Sequence, residues 1–491
     1  MKKLFLPVLL PVLSFFALSC EFPISRERPS NPDYKDLDHR SFWAQDLRDN
    51  SFYKTEAVRL CEGEKCVIWG EESAGVTQDI AKLIAKEYDT NIYTKIVDVF
   101  GMKDISGEND VSIGNSLDWA DYMTDGDGKL TILLLDIRDG YKSTLDSYTA
   151  GYFTSGNFIK HSCSNETDMM YLDTYPSTLN SPDSYATFAH ELQHLINFVN
   201  TRVIGRNSMD IWIDEGLSSA AEYIYTGDHP PIRYGWFIED REGTIARGNN
   251  FFVWNNHPEK ANAIMDEYAT VYLFFQWLRL QSLKSGGEDG YGIYRAIAAS
   301  EKYDQNAVVN AAKNLFDDPE YAANWETLLR TWLAANYINR SPGPYGYKDD
   351  SKLKYIRVSP LLGETQALLY PGEGVYSTIT GGSGSPSSGE GGANIRYGGL
   401  GINGGTDFVG KGGTYSGNRL LTFNSNNNHE GGTETGFLTG RSTGVSAAGS
   451  RQIGQMSGPF IIDARDIGGI REQERNFSFP VFGKKGKDAA P

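Results

Sequence analysis

In the stretch FAHELQHLINF, residues 188–198, two histidines stand four apart and a glutamate follows the first. On an α-helix, residues four apart differ by about 40° in direction and about 6 Å in height, so His190 and His194 share one face. Two neutral imidazoles so placed can converge on one zinc ion. Glu191, about 100° around the helix from His190, can reach a water on that ion without replacing it. The spacing suits hydrolysis, because the nitrogens hold a Lewis acid while the adjacent carboxylate takes a proton from the water. The competing reading is a buried helix that happens to contain two histidines. With 7 histidines in 491 residues, an accidental HExxH arises in on the order of one such chain in a hundred, so a third ligand has to decide.

The extended form HExxHxxGxxH would place glycine and histidine at positions 197 and 200, which are Asn197 and Asn200; the metzincin arrangement is excluded. Downstream stands WIDEGLSSAAEYIY, residues 212–225. On a second helix over about 214–225, Glu215 completes a His, His, Glu set with a fourth position open to water, the ligand count of a catalytic zinc site. Glu222, seven residues on, returns to nearly the same face and can accept a hydrogen bond from the outer nitrogen of a ligating histidine. A solvated surface glutamate is the plain alternative for it. Asp214 is a rival ligand but reads as a cap at the helix start. A donor to the developing oxyanion is sought among Tyr268, Tyr272, Tyr223 and His229. Tyr268 is the first choice, because Tyr272 and the LFFQWL after it read as packing residues.

The elements that must carry these residues are legible in outline. CVIWGEES reads as a strand, VTQDIAKLIAKEYDTNIY as a helix, and GKLTILLLDI as a buried strand. The DGDG turn before that strand has its glycine, Gly128, in the wrong place for a calcium loop and Lys129 where a ligand belongs, so a plain turn is expected. DMMYLD, residues 168–173, reads as the strand before the HELQH helix. Ser181 and Pro182 read as that helix's cap and first position, and the helix is expected to run to about Val199. ATVYLFFQWLRLQSL and NWETLLRTWLAANY supply further helices. Glycine then concentrates between Pro371 and Ser450, where pieces such as TDFVG and NRLLTFN suggest a small, loosely ordered β domain.

A formal net charge of -17, with no basic stripe, argues against a nucleic-acid partner. At the N-terminus, Lys2 and Lys3 precede LFLPVLLPVLSFFAL, a run that fits a signal-peptide core better than a membrane span. It ends in ALSC, which resembles the lipobox of bacterial lipoproteins, with Cys20 as the acylated residue and Ala17 departing from the usual leucine. Simple cleavage and secretion is the alternative, and either way the mature chain is exported. Export permits disulfides: CEGEKC can close a hairpin through Cys61 and Cys66, leaving Cys163 as a buried thiol. The expected organisation is a signal peptide at 1–19, a tether at 20–50, and a catalytic domain in two parts, 51–225 with both site helices and 226–345 mainly helical. A glycine-rich β domain at 346–480 and a tail at 481–491 follow.

HELQH followed by DEGLSSAAE looks like the gluzincin pattern. With GKLTILLLDI, YLDTYP and LQHLINF, it resembles the hyicolysin family of bacterial secreted metallopeptidases over residues 66–278. The resemblance implies an α+β, thermolysin-like catalytic domain with a mixed sheet, in which His190, His194 and Glu215 match the zinc ligands and Glu191 the general base. It also implies that the strand before the active helix, DMMYLD here, offers its edge to an extended substrate; an internal strand with both edges occupied is the alternative. The function so implied is a zinc endopeptidase acting on protein or peptide substrates at the bacterial cell envelope, held to the membrane through Cys20. The alternative is a surface adhesin on an inactive peptidase scaffold.

Overall fold

The computed structural model describes residues 32–102, 127–142, 148–158, 162–204, 207–238, 251–254, 264–358, 360–361, 366–378, 391–400, 419–428 and 431–438. The signal segment, Cys20, Asp125 of the DGDG turn and the tail from 481 lie outside the described residues. The fold is mixed α+β. Six strands form one sheet: β1 (His39–Asp46), β2 (Ser51–Glu62), β3 (Cys66–Glu71), β4 (Leu130–Leu135), β5 (Gly151–Phe153) and β6 (Met169–Asp173). Their order is β1-β2-β3-β4-β6-β5. β3, β4 and β6 run parallel, and the remaining pairs are antiparallel.

The apolar run LTILLL of β4 is buried at every position, as befits a central strand covered on both faces. Ile132 and Leu134 enter the main core, while Leu133 and Leu135 enter a second core with Phe42, Tyr152 and Tyr171 on the other face. Before β4, Lys129 Nζ pairs with Glu62 Oε1 at 2.6 Å and bonds the Gly63 carbonyl at 2.8 Å. Its own N–H donates to Asp127 Oδ1 at 2.7 Å, and Gly128 takes φ +71. This part of DGDG is therefore a turn that fastens β4 to the β2–β3 hairpin.

Four expectations change. The tether expected to reach residue 50 is shorter, because β1 pairs along its whole length with β2 and buries Phe42 and Ala44. β6, expected to present an edge, is internal: β4 lies on one side and β5 on the other, and β5 is the outer strand. Cys61 and Cys66 are separate thiols. The register sets Cys61 opposite Ile68, and Gly63 N–H donates to the Cys66 carbonyl. The two cysteines are thus diagonal neighbours, about 7–8 Å apart, whereas a disulfide needs Cβ atoms about 3.8 Å apart. Burial raises both thiols above their ordinary pKa. Cys163 is half-buried, not buried.

The helices are α1 (Gln78–Glu87), α2 (Tyr93–Phe100), α3 (Pro182–Asn197), α4 (Ile211–Thr226), α5 (Trp236–Ile238), α6 (Ile264–Gln281), α7 (Gly292–Ala298), α8 (Gln305–Leu315) and α9 (Trp325–Ile338). α3 starts as its sequence dictates: Ser181 Oγ accepts from Ser184 N–H at 3.2 Å, and Pro182 follows. α4 stops at Gly227, which takes a left-handed φ of 71°. No helix among the described residues is long and apolar enough to cross a membrane.

In the glycine-rich region, β8 (Gly374–Thr378), β9 (Ile395–Gly399) and β10 (Arg419–Asn424) form a three-stranded sheet, and β7 (Gln366–Leu369) pairs with β11 (Glu434–Phe437). These strands are docked. The Tyr376 hydroxyl donates to the Leu333 carbonyl of α9 at 2.7 Å, and a Cβ on Gly374 would lie 2.7 Å from Leu333 Cδ1. Tyr376, Leu421 and Phe423 belong to the same core as the helices.

Candidate metal centre

From Ser184 to Asn197 every residue of α3 is buried, so its polar side chains must meet partners inside the protein. β5 covers one flank so closely that a Cβ on Gly151 would lie 3.0 Å from Thr187 Cγ2. α4 packs against both α3 and α6. A Cβ on Gly216 would come within 2.3 Å of Phe275 Cε2 of α6, so the glycine after Glu215 is what lets α4 sit that near. One turn earlier, Trp212 is ringed by Phe251, Phe252, Phe274 and Trp325 at centroid distances of 5.5, 5.3, 6.1 and 5.6 Å. Such pairs contribute about 0.5–1.5 kcal/mol each beyond burial. They fix the rotation of α4 about its axis, and with it the direction of Glu215.

The result is convergence. His190 Nε2 lies 3.0 Å from His194 Nε2, and Glu215 Oε2 lies 3.5 Å from each of them. A tetrahedral zinc with ligand bonds of about 2.0–2.2 Å requires its ligand atoms about 3.3–3.5 Å apart. The two nitrogen-to-carboxylate separations meet that requirement, and the two nitrogens stand about 0.3 Å closer than it asks.

The outer nitrogens are held as well. His190 Nδ1 meets Glu222 Oε1 at 2.8 Å. His194 Nδ1 meets Ser218 Oγ at 2.9 Å and Asp214 Oδ1 at 3.1 Å, and Ser218 gives its own proton to Gln193 Oε1. With carboxylates at both Nδ1 positions, the ring protons belong on Nδ1, which leaves two Nε2 lone pairs facing one another. Such a contact holds together when a positive charge lies between the nitrogens. Burial alone would make His190 a weaker base, yet its hydrogen bonds to Glu215 and Glu222 prevail and raise it above the ordinary 6.5.

Among the described residues, Glu191, Glu215 and Glu222 are at most 1% exposed, and the Arg233 guanidinium, at 0%, is buried beside Glu222. Glu222 is held below the usual carboxylate range: burial raises it, but Arg233 and His190 outweigh that.

The structure thus brings His190, His194 and Glu215 together, with Glu222 behind His190 as the helical spacing implied. Asp214 is neither a ligand nor the cap. Asp210 occupies the cap position, and Asp214 backs His194 while accepting from Asn197 Nδ2 at 2.6 Å. Tyr268 is fully buried with its ring 6.4 Å from that of His190. The other oxyanion candidates form a separate network: His229 Nδ1 meets the Tyr272 hydroxyl at 2.6 Å, His229 Nε2 meets Asp350 at 3.1 Å, and Tyr223 packs on the His229 ring. Ser218 and Arg233 escaped the sequence reading. Ser218 had a signal, since it follows Asp214 by four residues on one helix face. Arg233 had none, because it sits in the π-type turn after α4, Pro231–Gly235.

No family model matches the sequence. Over 352 residues, 70% of this chain and 72% of the relative, the protein is 28% identical to Neutral metalloprotease ShpI of Staphylococcus hyicus.

Proposed function

We propose that the protein is an exported zinc endopeptidase with a thermolysin-like catalytic domain, carried on the outer face of a bacterial membrane by a lipid on Cys20. The observation that carries the reading is the meeting of two imidazole nitrogens and one carboxylate oxygen within 3.5 Å of one another in a buried site. The similarity to a neutral metalloprotease supports it from an independent direction. His190, His194 and Glu215 would hold the ion, which when bound polarises the scissile carbonyl and acidifies a water. Glu191 takes the proton of the attacking water on its carboxylate and delivers it to the amine nitrogen as the C–N bond breaks. Tyr268 is assigned the hydrogen bond to the developing oxyanion. β5, the outer strand of the sheet beside α3, is assigned the pairing with extended substrate backbone.

The test is the exported chain without residues 1–19, as wild type and as Glu191→Gln. Equal zinc, near one per chain, with hydrolysis of casein or a peptide reduced about 10²–10⁴-fold is expected. Zinc bound by both with negligible hydrolysis in both removes the peptidase assignment. For the anchor, Cys20→Ser in the full-length chain is expected to abolish incorporation of labelled palmitate and to release the protein from the membrane fraction; label retained by that variant refutes the lipid at Cys20.

A further inference from the structure

We infer that Arg233, which lies outside both motifs that supply ligands, is a positioning residue for the metal centre, acting through Glu222 on His190. The inference rests on reading the centre as a zinc site. Arg233 Nη2 donates to Glu222 Oε1 at 2.7 Å, and the same oxygen receives His190 Nδ1 at 2.8 Å. One carboxylate oxygen shared by two donors from separate segments has little freedom to swing, because each donor claims one lone-pair direction. The guanidinium is itself clamped, with its carbon 4.4 Å from the centroid of the Tyr268 ring, and Tyr268 packs edge-on against Trp254 at 5.0 Å.

A fully buried guanidinium is costly unless paired. This one is paired with the carboxylate that orients a ligand imidazole. Two electrostatic consequences compete. Arg233 repels a nearby cation through space, which weakens metal binding. It also supplies the counter-charge and the second hydrogen bond that keep Glu222 aimed at Nδ1, and so keep His190 Nε2 aimed at the centre. The shared oxygen makes the second effect short-range and directional, and on that ground it dominates.

The measurement is the zinc dissociation constant of the metal-free exported chain, by chelator competition, with the cobalt-substituted visible spectrum as a second readout and circular dichroism to confirm folding. Arg233→Met is expected to bind zinc about 10–100-fold more weakly and to shift the cobalt bands, with Arg233→Lys falling between it and wild type. Glu222→Gln is expected to lose a similar factor. Adding Arg233→Met to Glu222→Gln should cost less than about threefold more, since residues acting through one contact are not additive.

Affinity of Arg233→Met within twofold of wild type, or tighter, overturns the inference, as does an undiminished loss in the Glu222→Gln background. If Arg233→Met alone fails to fold, Glu222→Gln, whose amide oxygen can still accept from Arg233, and the double variant, which removes both charges of the buried pair, carry the test. Wild-type affinity in Glu222→Gln, or a further tenfold loss in the double variant, then overturns it. A wild-type chain that takes up no zinc refutes the zinc reading itself, and is distinguishable from all of these.

Discussion

At the scale of single residues, His190 and His194 each turn one nitrogen inward and fasten the other to an acceptor. Protons would therefore compete with a metal ion for the inner nitrogens. Because its hydrogen bonds raise His190 above 6.5, that competition sets in at a higher pH than for a free imidazole. Zinc affinity is expected to fall steadily from pH 8 to pH 5, measured by chelator competition; an affinity flat across that window contradicts the imidazole ligands. Removing the second acceptor set has a related effect. Asp214→Ala is expected to weaken zinc binding about tenfold or more, through His194, whereas a mere helix-end role for Asp214 would leave the affinity alone. The convergence of His190, His194 and Glu215 was readable from HELQH and WIDEG because helical periodicity is local. Ser218 carried the same periodic signal, four residues after Asp214, whereas Arg233 carried none, since its contact with Glu222 depends on how the chain returns after α4.

At the scale of elements, the site exists because α4 approaches α6 through a glycine. Gly216→Ala sets a methyl carbon 2.3 Å from the Phe275 ring, and overpacking of this kind costs about 1–3 kcal/mol. A lower urea midpoint together with weaker zinc binding is expected. Phe275→Leu added to Gly216→Ala should recover part of the stability, and no recovery would place the strain elsewhere. Long periodic helices and the fully apolar β4 were legible in the sequence, because amphipathic spacing or continuous burial leaves a pattern. β1 was not, because an edge strand next to proline and charge has the composition of a tether. Nor could β6 be told from an edge strand, since β5 is three residues long and carries no pattern of its own. The Cys61 and Cys66 pairing failed on register, which one bulge between Arg59 and Cys61 helps to set.

At the scale of the whole molecule, the C-terminal region is tied to the site-bearing helices through Asp350. Its carboxylate meets His229 at 3.1 Å and Arg279 at 3.7 Å, and accepts from the backbone N–H groups of Lys352 and Leu353 at 3.0 Å each. Burial pushes this carboxyl up, but the His229 hydrogen bond and those N–H groups prevail and hold it at about 2. A carboxyl whose folded pKa lies below its unfolded value of about 3.8 stabilises the fold above that value. The contribution disappears as the pH falls from about 4 towards 2. Thermal unfolding of the wild type should therefore lose stability through that window more steeply than Asp350→Asn, and parallel curves would refute the linkage.

The HELQH helix is buried on every side from Ser184 to Asn197, so the residues of the candidate centre are built into a segment closed to water. Amide hydrogens along it should exchange with deuterium only in the rare event that opens the whole molecule. By the same token, a chain that had not yet closed this helix could not have an assembled centre, which ties the onset of any activity to the completion of folding.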